Sequence, residues 1–248
     1  MSPTAAFPPG FGPGTYGASF ADVYDDWYPA ISDAAATARF VAKRCQPPVV
    51  IELGLGTGRL VPELRGAGLE VIGIDASVAM LKSGTRPALV ADIADLPLRP
   101  STAVGAALCA FNTLFNLPTA PLQQRAIAEA ARVVTGDGVV IIEAVTGYAL
   151  AEAERQSVGV SRITVDQLVL AATVVDHDAQ TVTGQHVDIT QTGGVRLRPW
   201  HLRWSTPEQL DSMASSNGLR LLERFADWDE TAFDHESDTH ISVYRKAT

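Results

Sequence analysis

Residues 49–77 read VVIELGLGTGRLVPELRGAGLEVIGIDAS. An apolar run carries an acid near its end, Glu52, and then glycines stand at every second position, Gly54, Gly56 and Gly58. A glycine loop between a strand and a helix lets backbone N–H groups come close to a ligand, because a Cβ would block the approach and disfavour positive φ. Spacing decides which ligand. A phosphate-gripping loop, GxxxxGK[ST], needs Lys followed by Ser or Thr, and no such pair follows these glycines. A dinucleotide fingerprint, GxGxxG counted from Gly54, requires a glycine where Arg59 stands.

Outward from this loop the pattern alternates. Val49–Leu53 predicts a buried strand, 58–66 a helix, Glu70–Asp75 a second strand, 78–83 a short helix and Ala88–Val90 a third strand. A fourth strand follows at 103–110, a long helix at 121–134 and a fifth strand at 138–144, entered through the turn TGDG at 135–138. Strands alternating with helices predict βαβ units and a parallel sheet. Upstream, 30–45 predicts a helix with Ser32 or Asp33 as its cap and Pro47-Pro48 as its stop. Beyond Gly147 the texture changes, and 162–204 predicts three strands with turns at DHDAQ (176–180) and TGG (192–194), a meander. A helix at 207–215, capped by Ser205 or Thr206 and ended by Asn217-Gly218, precedes two last strands at 219–225 and 240–245. The organisation expected is a flexible, glycine- and proline-rich arm at 1–29 that covers the cofactor, an α/β domain at 30–148 and 205–248, and an inserted β lid at 149–204.

Composition narrows the function class. Nineteen basic against 28 acidic residues give a net charge of −9, which argues against a nucleic-acid partner. No apolar run approaches the roughly 20 residues of a bilayer span, and the start MSPTAAFPPGFGPG has neither a basic nor an apolar leader region, so the expected location is cytoplasmic with no membrane partner. The two cysteines, Cys45 and Cys109, have no CxxC partner, so no disulfide framework and no metal site is expected.

Two further acids complete the pattern: Asp75 closes the second strand in VIGIDAS, and Asp92 follows the third in LVADI. Three carboxylates at three successive strand ends suit a cofactor with an ammonium group, a ribose diol and an adenine amine, all hydrogen-bond donors, and no phosphate. S-adenosylmethionine is such a molecule. The stretches ELGLGTG, GIDAS and ADI resemble the first three motifs of the class I S-adenosylmethionine-dependent methyltransferases. That resemblance implies a Rossmann-like seven-stranded sheet, mostly parallel with an antiparallel last strand, here with an antiparallel β-meander lid. It implies Glu52, Gly54, Gly56 and Gly58 around the methionine end, Asp75 on the ribose hydroxyls, Ala76 and Met80 beside adenine, Asp92 and Ile93 on the adenine edge, and Ala110 at the end of the fourth strand as a further cofactor contact. SFADVYDDWYPA resembles the YDxxY opening of bacterial small-molecule methyltransferases, including sugar amine N-methyltransferases, in which Tyr24 and Tyr28 would close over cofactor and acceptor. The nucleobase signature [ND]PP[YF] is not met by Ala110-Phe111-Asn112-Thr113.

Methyl transfer from a sulfonium is an in-line displacement, so the protein contributes mainly alignment and exclusion of water. A base is needed only where the nucleophile carries a proton, and His186, His201 and Glu143 are the residues expected to supply one. Arg196, Arg198 and Arg203 are open to two readings, an anchor for an acidic acceptor or a solvated charged face. The expected activity is methyl transfer to a nitrogen or oxygen of a small molecule by a monomer or homodimer; the alternatives are methylation of protein side chains and a non-catalytic cofactor-binding module.

Overall fold

A computed structural model describes residues 7–28, 33–81, 87–100 and 103–247. Five parallel strands, β1 (Val49–Leu53), β2 (Glu70–Asp75), β3 (Ala88–Val90), β4 (Ala106–Cys109) and β5 (Val139–Val145), lie in one sheet with β10 (Leu219–Phe225) and β11 (Thr239–Lys246). The order is β10-β11-β5-β4-β1-β2-β3, and β11 runs antiparallel to both of its neighbours. The seven-stranded, mostly parallel sheet expected from the sequence is therefore present.

The central strands β1, β4 and β5 are apolar at nearly every position because both faces are covered. Val50, Leu108 and Ile141 pack under α3 (Ala34–Arg44) and α4 (Val61–Gly66), while Ile51, Cys109 and Ile142 pack on the side of α6 (Ala120–Val133) and α8 (Pro207–Ser216). The helix starts follow capping chemistry. Asp33 accepts from the Ala36 N–H at the head of α3, and Thr206 with Gln209 forms a capping box on α8. The expected start of α3 at 30–32, and the end of the helix begun by α5 (Val78–Leu81), lie outside the described residues.

The second sheet departs from expectation. It has four antiparallel strands, not three: β6 (Gln156–Ile163), β7 (Gln167–Asp176), β8 (Thr181–Thr190) and β9 (Gly194–Arg203), in sequential order. The missed turn, at 164–166, is built without glycine or proline. Thr164 N–H donates to the Gln167 carbonyl and its hydroxyl donates to Asp166, so the usual punctuation is absent. A short helix, α7 (Tyr148–Ala151), leads from β5 into this sheet. One face of the sheet supplies Val175 and Val182 to the core, and the other exposes Val158, Val160, Val195 and Leu197.

Ahead of the main sheet, α1 (Thr15–Phe20) and α2 (Tyr24–Trp27) occupy the segment expected to be a loose arm, and α1 lies against both β9 and α5. Among the described residues no helix is long and apolar enough to cross a membrane.

Candidate active site

The loop after β1 sits where the strand order reverses, since β1 lies between β2 and β4. Gly54, Gly56 and Gly58 all have positive φ (77°, 58° and 83°), which L side chains resist. A Cβ at Gly54 would collide with Thr113, whereas Gly56 faces open space. Asp75 at the end of β2 is held by two backbone donors, Gly56 N–H to Oδ2 at 2.8 Å and Ser77 N–H to Oδ1 at 2.7 Å. Burial raises its carboxyl above the ordinary value and these two hydrogen bonds oppose the rise. One lone pair on each oxygen stays available.

A cavity of about 290 Å³ opens at this edge. One wall consists of the strand ends: Gly54, Gly56, Asp75, Ala76, Met80, Asp92 and Ile93 all line it. The opposite wall consists of the N-terminal segment and the second sheet: Tyr16, Phe20, Tyr24, Tyr28, His186, Trp200 and Leu202. A smaller annex of about 30 Å³ holds Glu52, Arg59, Ala110, Phe111 and Tyr24. Glu52 is buried, its Oε2 has no hydrogen-bond partner among the described residues, and burial pushes its carboxyl up to about 8. A buried carboxyl oxygen without a donor costs free energy until a cationic or N–H group arrives. These features fit the cofactor that the motifs imply: an orphaned acid for an ammonium, open space before Gly56 for the linker, and a backbone-locked carboxylate for a diol.

The residues expected at the site separate into three groups. Glu52, Gly54, Gly56, Asp75, Ala76, Met80, Asp92, Ile93, Ala110, Tyr24, Tyr28 and His186 face one of the two spaces. Gly58 does not; its N–H donates to Leu55 and closes the turn behind the loop. Glu143 and His201, expected as bases, line neither space. Glu143 accepts from Phe111 N–H at 2.7 Å and from the Trp228 indole at 2.9 Å, one donor on each oxygen. It thereby shores up Phe111 and Asn112, two consecutive non-glycine residues at positive φ (45° and 57°) whose side chains line the cavity. His201 lies between Trp200 and Leu202 on β9, and period-2 alternation turns it to the other face, where Nδ1 pairs with the Thr183 hydroxyl at 2.8 Å.

Arg196 fits the reading of an exposed charge, whereas Arg198 and Arg203 are drawn into side-chain networks. Arg198 is almost fully buried and binds Asp188, Asp22 and the Ser19 carbonyl, and Arg196 pairs with Asp22, so together they fasten the N-terminal segment to the sheet. Arg203 joins Gln123, Ser205 and Gln180 at the base of the sheet.

Sequence reasoning missed Tyr16, Phe111 and Trp200. A signal for Trp200 existed in Gly184: the two are directly paired across β8 and β9, and a Cβ at 184 would run into the indole. Glycine inside a strand often marks such a close approach.

His186 is half-buried among Phe20, Trp27 and Trp200. The Trp200 indole N–H donates to its Nδ1 at 3.1 Å. Burial, and then the Arg198 charge, push its pKa below the ordinary histidine value. Burial also raises the hydroxyls of Tyr16, Tyr24 and Tyr28 above theirs.

Residues 51–142 match a family model described as a methyltransferase domain. No curated protein matches the chain. Among solved structures, the CcbJ methyltransferase from Streptomyces caelestis is 31% identical with a TM-score of 0.88, the alignment covering 96% of this chain and 100% of that one. The sugar N-methyltransferase KedS8 from Streptoalloteichus shares the fold at 19% identity, with a TM-score of 0.66 and coverage of 90% of this chain and 93% of that one. So does CalS10, an amino pentose methyltransferase solved with S-adenosylmethionine bound, at 18% identity, TM-score 0.63 and coverage of 90% and 97%.

Proposed function

The chain belongs to the S-adenosylmethionine-dependent methyltransferases, and from that premise we propose that it methylates an amine nitrogen of a small molecule held between the N-terminal tyrosines and the second sheet. The cofactor, when bound, supplies an electrophilic methyl group on a sulfonium. We assign Asp75 to the ribose hydroxyls, Asp92 and Ile93 to the adenine edge, Ala76 and Met80 to its faces, and Glu52 with the glycine loop to the methionine end. Tyr24, which lines both spaces, closes over the junction and Tyr28 over the acceptor side.

The observation that carries the choice of nitrogen is that, with Asp75 and Asp92 assigned to the cofactor, no side chain among the described residues on the acceptor side of the cavity is free to take a proton near neutral pH. The tyrosines titrate too high and His186 has its Nδ1 occupied; Glu143 and His201 are outside. An alcohol must lose its proton as it reacts, so it needs a base; a neutral amine offers a lone pair and needs only alignment. The wall of Tyr16, Phe20, Tyr28 and Trp200 supports the same reading, because aromatic faces hold both an apolar amine and the ammonium formed when it is methylated. KedS8 and CalS10 are described as acting on sugars or amino sugars, which adds support for a nitrogen acceptor.

The test is a panel of small primary and secondary amines against alcohols and phenols of matched shape, scored by S-adenosylhomocysteine release. Turnover confined to amines is the expected result; turnover of alcohols with amines inert would overturn the proposal.

A further inference from the structure

We propose that His186 is the residue that reads the acceptor, donating its Nε2–H to a hydroxyl, ether or carbonyl oxygen of the substrate, and that Trp200 is the positioning residue that keeps the proton on Nε2. The acceptor is then an oxygen-bearing amine. This rests on the reading of the cavity as an acceptor site, and it goes beyond that reading by naming a second feature the substrate must carry.

The argument is one of donors and acceptors. Indole Nε1 only donates. It lies 3.1 Å from His186 Nδ1, so that nitrogen presents its lone pair, and the single proton of a neutral imidazole must sit on Nε2. A doubly protonated ring would set two N–H groups against each other across the same contact. The geometry that enforces this is written across two strands: Trp200 is paired with Gly184, two residues before His186 on β8, and its ring occupies the space a Cβ at 184 would fill. The indole thus lies along the sheet toward the next side chain on that face. Phe20 meets the imidazole edge-on with ring centroids 5.4 Å apart, and Trp27 flanks it at 5.9 Å. The ring lines the cavity, and its Nε2 has no hydrogen-bond partner among the described residues. Nε2 faces the cavity, and once a ligand displaces the water there this donor loses free energy unless the ligand brings an acceptor, which makes it a discriminator between oxygen-bearing and plain amines.

Three variants test this: Trp200→Phe removes the indole donor, His186→Leu removes the imidazole, and His186→Gln keeps an N–H near the Nε2 position. Nitrogen NMR of the full-length protein labelled with ¹⁵N-histidine and saturated with S-adenosylhomocysteine reads the tautomer directly. The expected result at neutral pH is the Nε2–H form in the parent protein and a mixture of tautomers in Trp200→Phe; an Nδ1–H form or an imidazolium in the parent protein overturns the proposal. Calorimetric titration with S-adenosylhomocysteine should give affinities within about twofold in all three variants; a tenfold loss in His186→Leu would put the ring against the cofactor and overturn it. On an amino sugar and its analogue lacking one hydroxyl, His186→Leu should raise KM roughly 10-fold for the first and little for the second, with His186→Gln restoring most of the difference. An equal rise for both overturns the role. Should no amine be turned over at all, the assignment of nitrogen fails, while the spectrum and the titration still judge His186.

Discussion

The two walls of the cavity are built by different means. On the strand-end wall, backbone does the positioning: three glycines at positive φ turn the loop, and Asp75 is gripped by two main-chain N–H groups. On the opposite wall side chains hold side chains. Arg198 joins Asp188 ten residues away and Asp22 at a separation of 176 residues, and Trp200 holds His186 across a strand pair. A wall set by backbone keeps one shape and suits a cofactor that never changes. A wall set by long-range pairs can be rebuilt one residue at a time, which suits an acceptor that differs from one enzyme to another.

If that contrast is correct, substitutions on the two walls separate into different losses. The largest effect is expected from Asp75→Ala, which on the proposed assignment removes two charge-assisted hydrogen bonds to the ribose, each worth about 1.5–3 kcal/mol. Calorimetry with S-adenosylhomocysteine should report affinity weakened roughly 100-fold or more; unchanged affinity would mean the strand-end wall does not hold the cofactor. Next comes Arg198→Met, which leaves Asp188 buried with only the Gln167 amide and no cationic partner, and should cost about 3–5 kcal/mol in urea denaturation. Adding Asp188→Asn should recover part of that loss, because the stranded charge goes with it. A smaller effect is expected from Glu143→Gln. Its amide opposes one of the two N–H donors that the carboxylate accepts, for about 1–3 kcal/mol in denaturation, and the Phe111–Asn112 turn loosens.

The smallest effect is a proton count. With Glu52 pushed up to about 8 by burial, the carboxyl is mostly protonated at pH 7 in the cofactor-free protein. The unfolded chain has lost that proton by then, so the folded state binds more protons between about 4.5 and 8, and stability falls as pH rises through that window. An ammonium placed against Glu52 favours the carboxylate, so binding S-adenosylhomocysteine near pH 7 should release a fraction of a proton. Calorimetry in two buffers of different ionisation heat measures it; proton uptake would contradict the assignment of Glu52.

The same contrast explains how much was legible beforehand. The strand-end wall lies in three short local stretches, and the positions of β1, β2 and β3 and all three strand-end acids follow from them. The opposite wall was read poorly because its logic is tertiary. His186 and His201 look alike in sequence, each a histidine on an alternating strand, and only the register of β8 against β9 sends one inward and the other away. Glu143 has the composition of a base, and only the fold brings the Trp228 indole and the Phe111 N–H to its two oxygens. β6 was missed because its turn relies on Thr164 and Asp166 instead of glycine.

The central claim is that the acceptor wall carries no base and that an amine is therefore methylated by alignment alone. The most direct measurement is S-adenosylhomocysteine release from the parent protein on a shape-matched pair, one cyclic amine and the corresponding alcohol, across pH 6 to 9. The account predicts turnover of the amine only, rising with pH as the free amine becomes neutral and then levelling. Turnover of the alcohol, with a pH dependence that vanishes when His186 is replaced by Leu, would contradict it.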